Sequence, residues 1–241
     1  MNWKSIITLA ALLIASLVLN VLAIQRARSF YLQLQAVRLD PLGVKDFPSS
    51  ISEKHGRVIV FCGDSRAKQW PEPDGLKNAA VINRGIGNQT TAQVLGRFQE
   101  HVASLKPEVV VLQVGVNDLK TLPLFPDQKE AIIRDCKANI AQLVSESVEA
   151  GARVIVTTIF PLGKVPIERK PFWSDEVGAA IVEVNAYIKT LGSDRVTVFD
   201  TVPILTDARG HIVPKYSRDL LHLTSDGYAA LNRALSGRLT P

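Results

Sequence analysis

The sequence predicts an α/β domain built on a five-stranded, mostly parallel sheet with helices on both faces, preceded by an N-terminal transmembrane helix. Two observations lead to this fold class. Five short β-rich runs alternate with helical patterns from residue 57 onward, and parallel neighbours need such crossovers. A charge-free apolar run stands at the N-terminus. With 241 residues, the chain is long enough for one such domain with a sizeable core.

The first element is the apolar run 5–25, SIITLAALLIASLVLNVLAIQ. About 20 helical residues, each rising roughly 1.5 Å, cross a hydrocarbon layer of roughly 30 Å. Residues 1–25 are therefore predicted to anchor the protein in a membrane. The alternative is a signal segment cleaved after Ala23, which would leave a secreted protein. The length of the run favours the anchor, because cleaved signals carry only about 7–15 apolar residues.

Positive charge is concentrated beside this segment. Lys4, Arg26, Arg28 and Arg38 precede the first acidic residue, Asp40, and the rest of the chain carries a net charge of only +1 of the total +5. A nearly neutral body argues against a broad phosphate-binding footprint, so no nucleic-acid partner is expected.

The side of the membrane on which the domain lies is predicted from the apolar segment. A lone N-terminal apolar segment is the usual export signal, so we expect a periplasmic or extracellular domain. Arg26 and Arg28 oppose this expectation, because basic residues favour the cytoplasmic flank.

Residues 26–56 are predicted to form a stalk. They begin Arg-rich, contain Pro41, Gly43 and the break Pro48-Ser49-Ser50, and show no sustained apolar period. The folded domain is therefore expected to span residues 57–241.

Within the domain, strands and helices alternate. Capping-box spacing at Asp127–Glu130 predicts a helix start, Gly151 predicts its end, and apolar residues at helical spacing over 177–191 predict another helix. Cys62 and Cys136 fall in a strand and a helix, where they are expected to be small buried hydrophobic residues. The predicted strands, expected to be buried on both faces, are Val58–Cys62, Ala79–Ile82, Val109–Val114, Val154–Thr158 and Val196–Phe199.

Polar residues follow the first three strands, at the edge where ligands bind in such sheets. These segments are Gly63-Asp64-Ser65-Arg66, residues 83–91, and Gly115-Val116-Asn117-Asp118. A serine there becomes a nucleophile only with a base and an orienting acid, which Asp219-Leu220-Leu221-His222 supplies. The second and third segments can provide donors for an oxyanion.

Together, these four segments resemble the conserved blocks of the SGNH (GDSL-like) hydrolase family, in order and spacing, across residues 57–235. The resemblance implies a three-layer α/β/α fold of flavodoxin-like type. It also implies hydrolysis of carboxylic or thioesters without a metal or organic cofactor.

By this resemblance, Ser65 is the nucleophile, His222 its general base and Asp219 the residue that orients the imidazole. The oxyanion donors would be the Ser65 backbone N–H, a backbone N–H of the second segment and the Asn117 amide. Family members most similar there carry Gly-Ile-Gly-Gly-Gln or Gly-Ile-Ser-Gly-Asp, so Asn88 stands in place of the donor glycine. Asparagine tolerates positive φ, so Asn88 can keep this role, and Gly87 is the other candidate donor.

Simpler interpretations exist for several of these residues. Ser65 could cap a helix, Asn117 could be a turn residue, and Asp64 and Asp118 are expected to hold turns through local hydrogen bonds. The pattern at 85–90 lacks the third glycine of a dinucleotide site, because position 90 is Thr. The apolar segment 165–173 could form a lip for an acyl chain or pack on its own core.

The predicted function is hydrolysis of a small-molecule or carbohydrate ester through an acyl-enzyme, with a short acyl group such as acetyl favoured. The alternatives are a lysophospholipase or thioesterase, an O-acyltransferase that uses the same residues, and a catalytically silent membrane-attached binding module. The sequence leaves the oligomeric state open.

Overall fold

The computed structural model describes residues 2–48 and 56–239, which form two compact units, one ending at Gly43 and the other beginning at Val44. The first unit is dominated by helix α1, Trp3–Leu39, and the Asn2 side chain caps it by accepting a hydrogen bond from the Ser5 N–H. Of the described helices, α1 is the one long and apolar enough to cross a membrane, and none of its residues is buried.

The predicted stalk differs from the structure at both ends. Helix α1 continues past residue 25, because residues 26–39 contain no glycine or proline to end it. In the second unit, the Val44 and Pro48 carbonyls accept hydrogen bonds from His101 and Arg84, so residues 44–48 lie against the domain. Residues 49–55 of the predicted stalk lie outside the described residues.

The second unit contains a sheet in the order β2-β1-β3-β4-β5 with every pairing parallel, which confirms the predicted fold class. The edge strands β2 and β5 are only partly buried, unlike the prediction, because each has a neighbour on one side only. The strands are β1 Arg57–Gly63, β2 Ala79–Gly85, β3 Val109–Gln113, β4 Arg153–Thr157 and β5 Val196–Phe199.

Helices and short 3₁₀ turns connect the strands. The predicted capping box at Asp127 does not form, because Pro126–Gln128 is a 3₁₀ turn and the following helix begins at Lys129. Gly151, with φ 92°, follows the end of that helix as predicted. The helices of this unit are α2 Ser65–Lys68, α3 Thr91–Gly96, α4 Phe98–His101, α5 Val116–Leu119, α6 Lys129–Glu149, α7 Glu176–Ile188, α8 Val202–Leu205 and α9 Ser225–Leu239.

Each face of the sheet carries its own hydrophobic core, which gives three layers. Alternate residues of β1 point to opposite faces: Val60 and Cys62 to a core shared with α3, α4, α6 and α7, and Ile59 and Phe61 to a core shared with α9. Cys62 and Cys136 are both buried and unbridged, as predicted.

The chain places β2 on one side of β1 and β3 on the other, so the direction of winding reverses beside β1. Ligand sites in such sheets lie at this reversal, outside the carboxyl ends of the strands. β1 ends there at Gly63, whose φ of 152° and closeness to Gln113 leave no room for a side chain. The residues that follow Gly63 therefore lie at the expected ligand edge.

Candidate active site

Ser65 is the first residue of α2, directly after β1. The cap of this helix is Asp64, whose Oδ1 accepts a hydrogen bond from the Arg66 N–H at 2.8 Å. The structural role predicted for Asp64 is thus confirmed, and Ser65 is not the cap. Burial raises the pKa of Asp64 to about 6, although the charge of Arg66 opposes this shift.

The Ser65 hydroxyl lies beside the ring of His222. Ser65 Oγ is 3.0 Å from His222 Nε2, and His222 Nδ1 is 2.9 Å from Asp219 Oδ2. Because an ionised carboxylate accepts only, Nδ1 carries the proton and Nε2 can accept the proton of the serine hydroxyl. The structure therefore brings together the three residues that the sequence proposed for this chemistry.

Asp219 is held ionised by its own loop. Partial burial raises its pKa, but hydrogen bonds from the Leu221 N–H, the His222 N–H and the His222 ring outweigh this effect and lower the pKa to about 2. Both backbone donors reach Asp219 Oδ1 at 2.8 Å. The carboxylate is thus fixed in position and ionised at neutral pH.

Arg66 joins the serine to the histidine loop, a role that the sequence analysis did not find. Its fully buried side chain donates from Nε to the Leu221 carbonyl at 2.7 Å, and its guanidinium lies 5.2 Å from the centre of the Phe160 ring. Its own carbonyl accepts from the Tyr228 hydroxyl at 2.8 Å. These contacts fix the distance between Ser65 and the residue preceding His222.

The second loop passes beside Ser65. Asn88 has φ 65°, the left-handed conformation expected for a residue in place of glycine, and its side chain is exposed. A β-carbon added at Gly87 would lie 3.9 Å from Ser65 Cβ, so the 87–88 backbone borders the serine. Arg97 Nε donates to Gln89 Oε1 at 2.5 Å and holds the loop from behind.

The third loop supplies Asn117, which is 2% exposed. Its Nδ2 donates to the Gln89 carbonyl at 2.9 Å, which uses one of the two amide hydrogens. The second amide hydrogen can donate to a further acceptor. Asp118 accepts hydrogen bonds from the N–H and hydroxyl of Thr91, so its carboxylate joins the third loop to the start of α3 instead of holding its own turn through local hydrogen bonds as predicted.

Comparison with known proteins now decides the family. The pattern of the GDSL-like Lipase/Acylhydrolase family matches residues 49–230, which is most of the chain. The chain belongs to this family. The SGNH resemblance is thereby confirmed, and the family implies hydrolase activity.

The proteins similar to this GDSL-like hydrolase include two relatives and one solved structure. Platelet-activating factor acetylhydrolase IB subunit alpha1 of Pongo abelii is 30% identical over 75% of this chain and 74% of the relative. The acetylxylan esterase of Geobacillus stearothermophilus is 25% identical over 51% of this chain and 57% of that enzyme. A GDSL-like lipase of Bacteroides thetaiotaomicron VPI-5482 superimposes with a TM-score of 0.60 and 22% identity, over 81% of this chain and 92% of that one, which supports the fold.

In this GDSL-like hydrolase, only part of the segment 165–173 packs on the core. Trp173 packs against the hydrophobic core, whereas Ile167 and Phe172 are 80% and 66% exposed. Gly163, just before this segment, donates its N–H to the Leu220 carbonyl. A side chain at Gly163 would collide with the Asp219 carbonyl, so glycine allows the close approach of the two loops.

The Asn117 amide gives a first prediction. Asn117→Ala should lower kcat for an acetyl ester by about 10²–10³-fold with little change in KM, because the proposed bond to the oxyanion strengthens only in the transition state. Steady-state rates check this, with the melting temperature measured because the Gln89 contact is also lost. An effect confined to KM would contradict an oxyanion role.

Proposed function

We propose that this hydrolase is a serine esterase that cleaves carboxylic esters through an acyl-enzyme intermediate. The observation that carries the proposal is the continuous hydrogen-bonded chain from Ser65 Oγ through the His222 ring to the Asp219 carboxylate. A serine hydroxyl with a base in reach, and that base oriented by an acid, is the arrangement that activates serine as a nucleophile.

The first half of the reaction follows from these positions. Ser65 Oγ attacks the ester carbonyl carbon while its proton passes to His222 Nε2. The negative charge that develops on the carbonyl oxygen is stabilised by hydrogen bonds from the Ser65 N–H, the Asn88 N–H and the Asn117 amide. Gly87 is the alternative to Asn88 as a donor. His222 then gives its proton to the departing alcohol, and the C–O bond breaks to leave acyl-Ser65.

In the second half, a water molecule gives a proton to His222 and attacks the acyl carbon. The proton returns to Ser65 Oγ as the acid leaves. Asp219, ionised throughout because its pKa is about 2, stabilises the imidazolium that forms in both halves. An acyltransferase would share the first half and replace the water by a second alcohol.

For the acyl group, we propose a short chain, with acetyl the first choice. Two similar proteins carry names that specify acetyl release, one from xylan and one from platelet-activating factor. Gly87 borders Ser65, and the exposed side chain of the next residue, Asn88, adds bulk to this loop where glycine would leave space. A carbohydrate acetyl ester is the preferred substrate, and an acetyl ester on a lipid is the second candidate.

We propose that α1 keeps the enzyme attached to a membrane, with the hydrolase domain on the outer side. The 37-residue length of α1, its apolar composition and its lack of buried residues support the membrane attachment. The outer side is proposed because a lone N-terminal apolar segment is the usual export signal. The proposed anchor is the apolar part of α1 within residues 1–25, and the proposed catalytic domain is the unit that contains the sheet; the linker predicted over residues 26–56 is not kept, because α1 continues to Leu39 and residues 44–48 lie against the domain.

The test uses the full chain in detergent. Initial rates of hydrolysis are measured on esters with two-, four- and eight-carbon acyl groups, on acetylated xylo-oligosaccharides, and with an added sugar acceptor. The proposal expects release of free acid, fastest for the two-carbon ester. Transfer to the acceptor in preference to water would assign the acyltransferase reaction instead.

Asn88 gives a second prediction, on the acyl chain. Asn88→Gly should keep acetyl hydrolysis within about tenfold, because the backbone donor is retained, while kcat/KM for longer esters rises relative to acetyl. The comparison is kcat/KM for the three chain lengths on both proteins. An unchanged profile would show that Asn88 does not shape the acyl site, and loss of acetyl hydrolysis in a folded variant would assign its side chain to the chemistry.

A further inference from the structure

An open cleft of about 650 Å³ lies beside the catalytic carboxylate and plays no part in the proposed chemistry. It is lined by residues 161–164, 210–212 and 217–219 together with Pro214. Its volume falls in the range of small-molecule sites, roughly 300–1,000 Å³. The cleft is therefore large enough for a sugar ring or a glycerol unit.

The position of the cleft matches one part of an ester substrate. His222 Nε2 must protonate the departing alcohol, so the alcohol portion lies on the His222 side of Ser65, away from the oxyanion donors. Asp219 contacts the His222 ring and also lines the cleft. Ser65 and His222 are not among the residues that line the cleft, so a group held there would be a distal part of the alcohol, well beyond the oxygen that leaves.

The charged lining is mainly basic. Lys164 and Arg218 bring two fixed positive charges, and His211 adds an imidazole. Of the described residues that line the cleft, Asp219 is the one acid, and its carboxylate already contacts the His222 ring and, at 3.6 Å, Arg218 Nε. An incoming anion therefore meets more positive than negative charge.

The apolar part of the lining suits the carbon skeleton of such an alcohol. Leu162, Ile212 and Pro214 line the cleft, and Gly163 brings its backbone against Asp219 without filling the space between the loops. A few polar groups over an apolar lining are typical of a small-molecule site.

We propose that this cleft binds an anionic group, a carboxylate or a phosphate, carried by the alcohol portion of the ester substrate. The proposal rests on the esterase function proposed above and names its substrate class: an acyl ester of an acidic sugar or of a phosphorylated glycerol. Lys164 is the residue expected to distinguish an anionic alcohol from a neutral one. Its side chain is exposed and, unlike that of Arg218, does not pair with Asp219.

Two pairs of acetyl esters test this selectivity on the full chain. O-acetyl galacturonic acid and O-acetyl galactose differ in one carboxylate, and acetylglycerol phosphate and acetylglycerol differ in one phosphate. The anionic member of at least one pair should have a kcat/KM about three- to tenfold higher at low salt, and this ratio should shrink near 0.5 M salt, because exposed charges are screened. The pair that shows the preference identifies the source of the anion.

Lys164→Gln and Lys164→Glu should lower the anionic-to-neutral ratio in that order, the first by about two- to fivefold and the second further, as expected for an exposed charge pair. Lys77→Glu is the matched control: it makes the same charge change at an exposed lysine just before β2, at the opposite edge of the sheet, and should leave the ratio unchanged. Folding of each variant is checked by its melting temperature.

Equal rates within both pairs, or an equal change in the ratio for Lys164→Glu and Lys77→Glu, would overturn the proposal. Either result would leave the esterase function standing if the neutral esters are hydrolysed. If none of the four esters were hydrolysed, and none of the esters with two-, four- and eight-carbon acyl groups either, the esterase function itself would be overturned.

Discussion

Ser65→Ala is expected to lower kcat for a two-carbon p-nitrophenyl ester by about 10⁴-fold or more, the scale seen when a triad member is removed elsewhere. The reason is geometric: Ser65 Oγ is the hydroxyl 3.0 Å from His222 Nε2 at the carboxyl edge of the sheet. Removing this atom takes away the group that forms the acyl-enzyme, while the oxyanion donors remain and leave only a small residual rate.

The control for this change is Ser145→Ala, on the exposed side of α6, which should keep full activity. The fold of the Ser65 variant should be intact, because Asp64 provides the cap of α2. More than about a tenth of the activity remaining in Ser65→Ala would remove Ser65 as the nucleophile.

The second large effect is expected at Asp219. Asp219→Asn should lower kcat by about 10³–10⁴-fold, because an amide NH₂ facing His222 Nδ1 favours the tautomer with the proton on Nε2, which cannot accept the serine proton. The asparagine Oδ1 can still accept the Leu221 and His222 backbone N–H groups, so the loop is expected to keep its shape.

A matched control exists at Asp207, whose Oδ1 also accepts two backbone N–H groups, from Arg209 and His211. Asp207→Asn should leave the rate on the same ester unchanged. The two variants are compared by kcat and by melting temperature. Activity of Asp219→Asn within about tenfold of the unchanged protein would mean that the carboxylate does not orient His222.

Much of the fold could be predicted from the sequence, because each strand is a compact apolar run ended by polar or glycine residues. The candidate site followed from the same property: Ser65 and Asn117 come directly after β1 and β3, whose carboxyl ends must meet at one edge. The Asp219 and His222 pair could be recognised because only two residues separate an acid from a base.

Other features depend on contacts that no local pattern reveals. A charged residue such as Arg66 is ordinarily exposed, and it is buried here only because the Leu221 carbonyl and the Phe160 ring surround it. The need for glycine at Gly163 arises from the approach of the Asp219 loop, 56 residues later in the chain. The extension of α1 past residue 25 does not follow from hydropathy, because Arg26 and Arg28 end the apolar run but do not end the helix.

The proposed mechanism requires that Ser65 is a nucleophile activated by His222 and Asp219. The most direct test is reaction of the full chain with a fluorophosphonate, which modifies activated serines, followed by peptide mapping. We expect one modified serine, in the peptide that contains Gly63-Asp64-Ser65, and strongly reduced labelling in Asp219→Asn. Absence of labelling in the folded protein, or modification of a different serine, would contradict it.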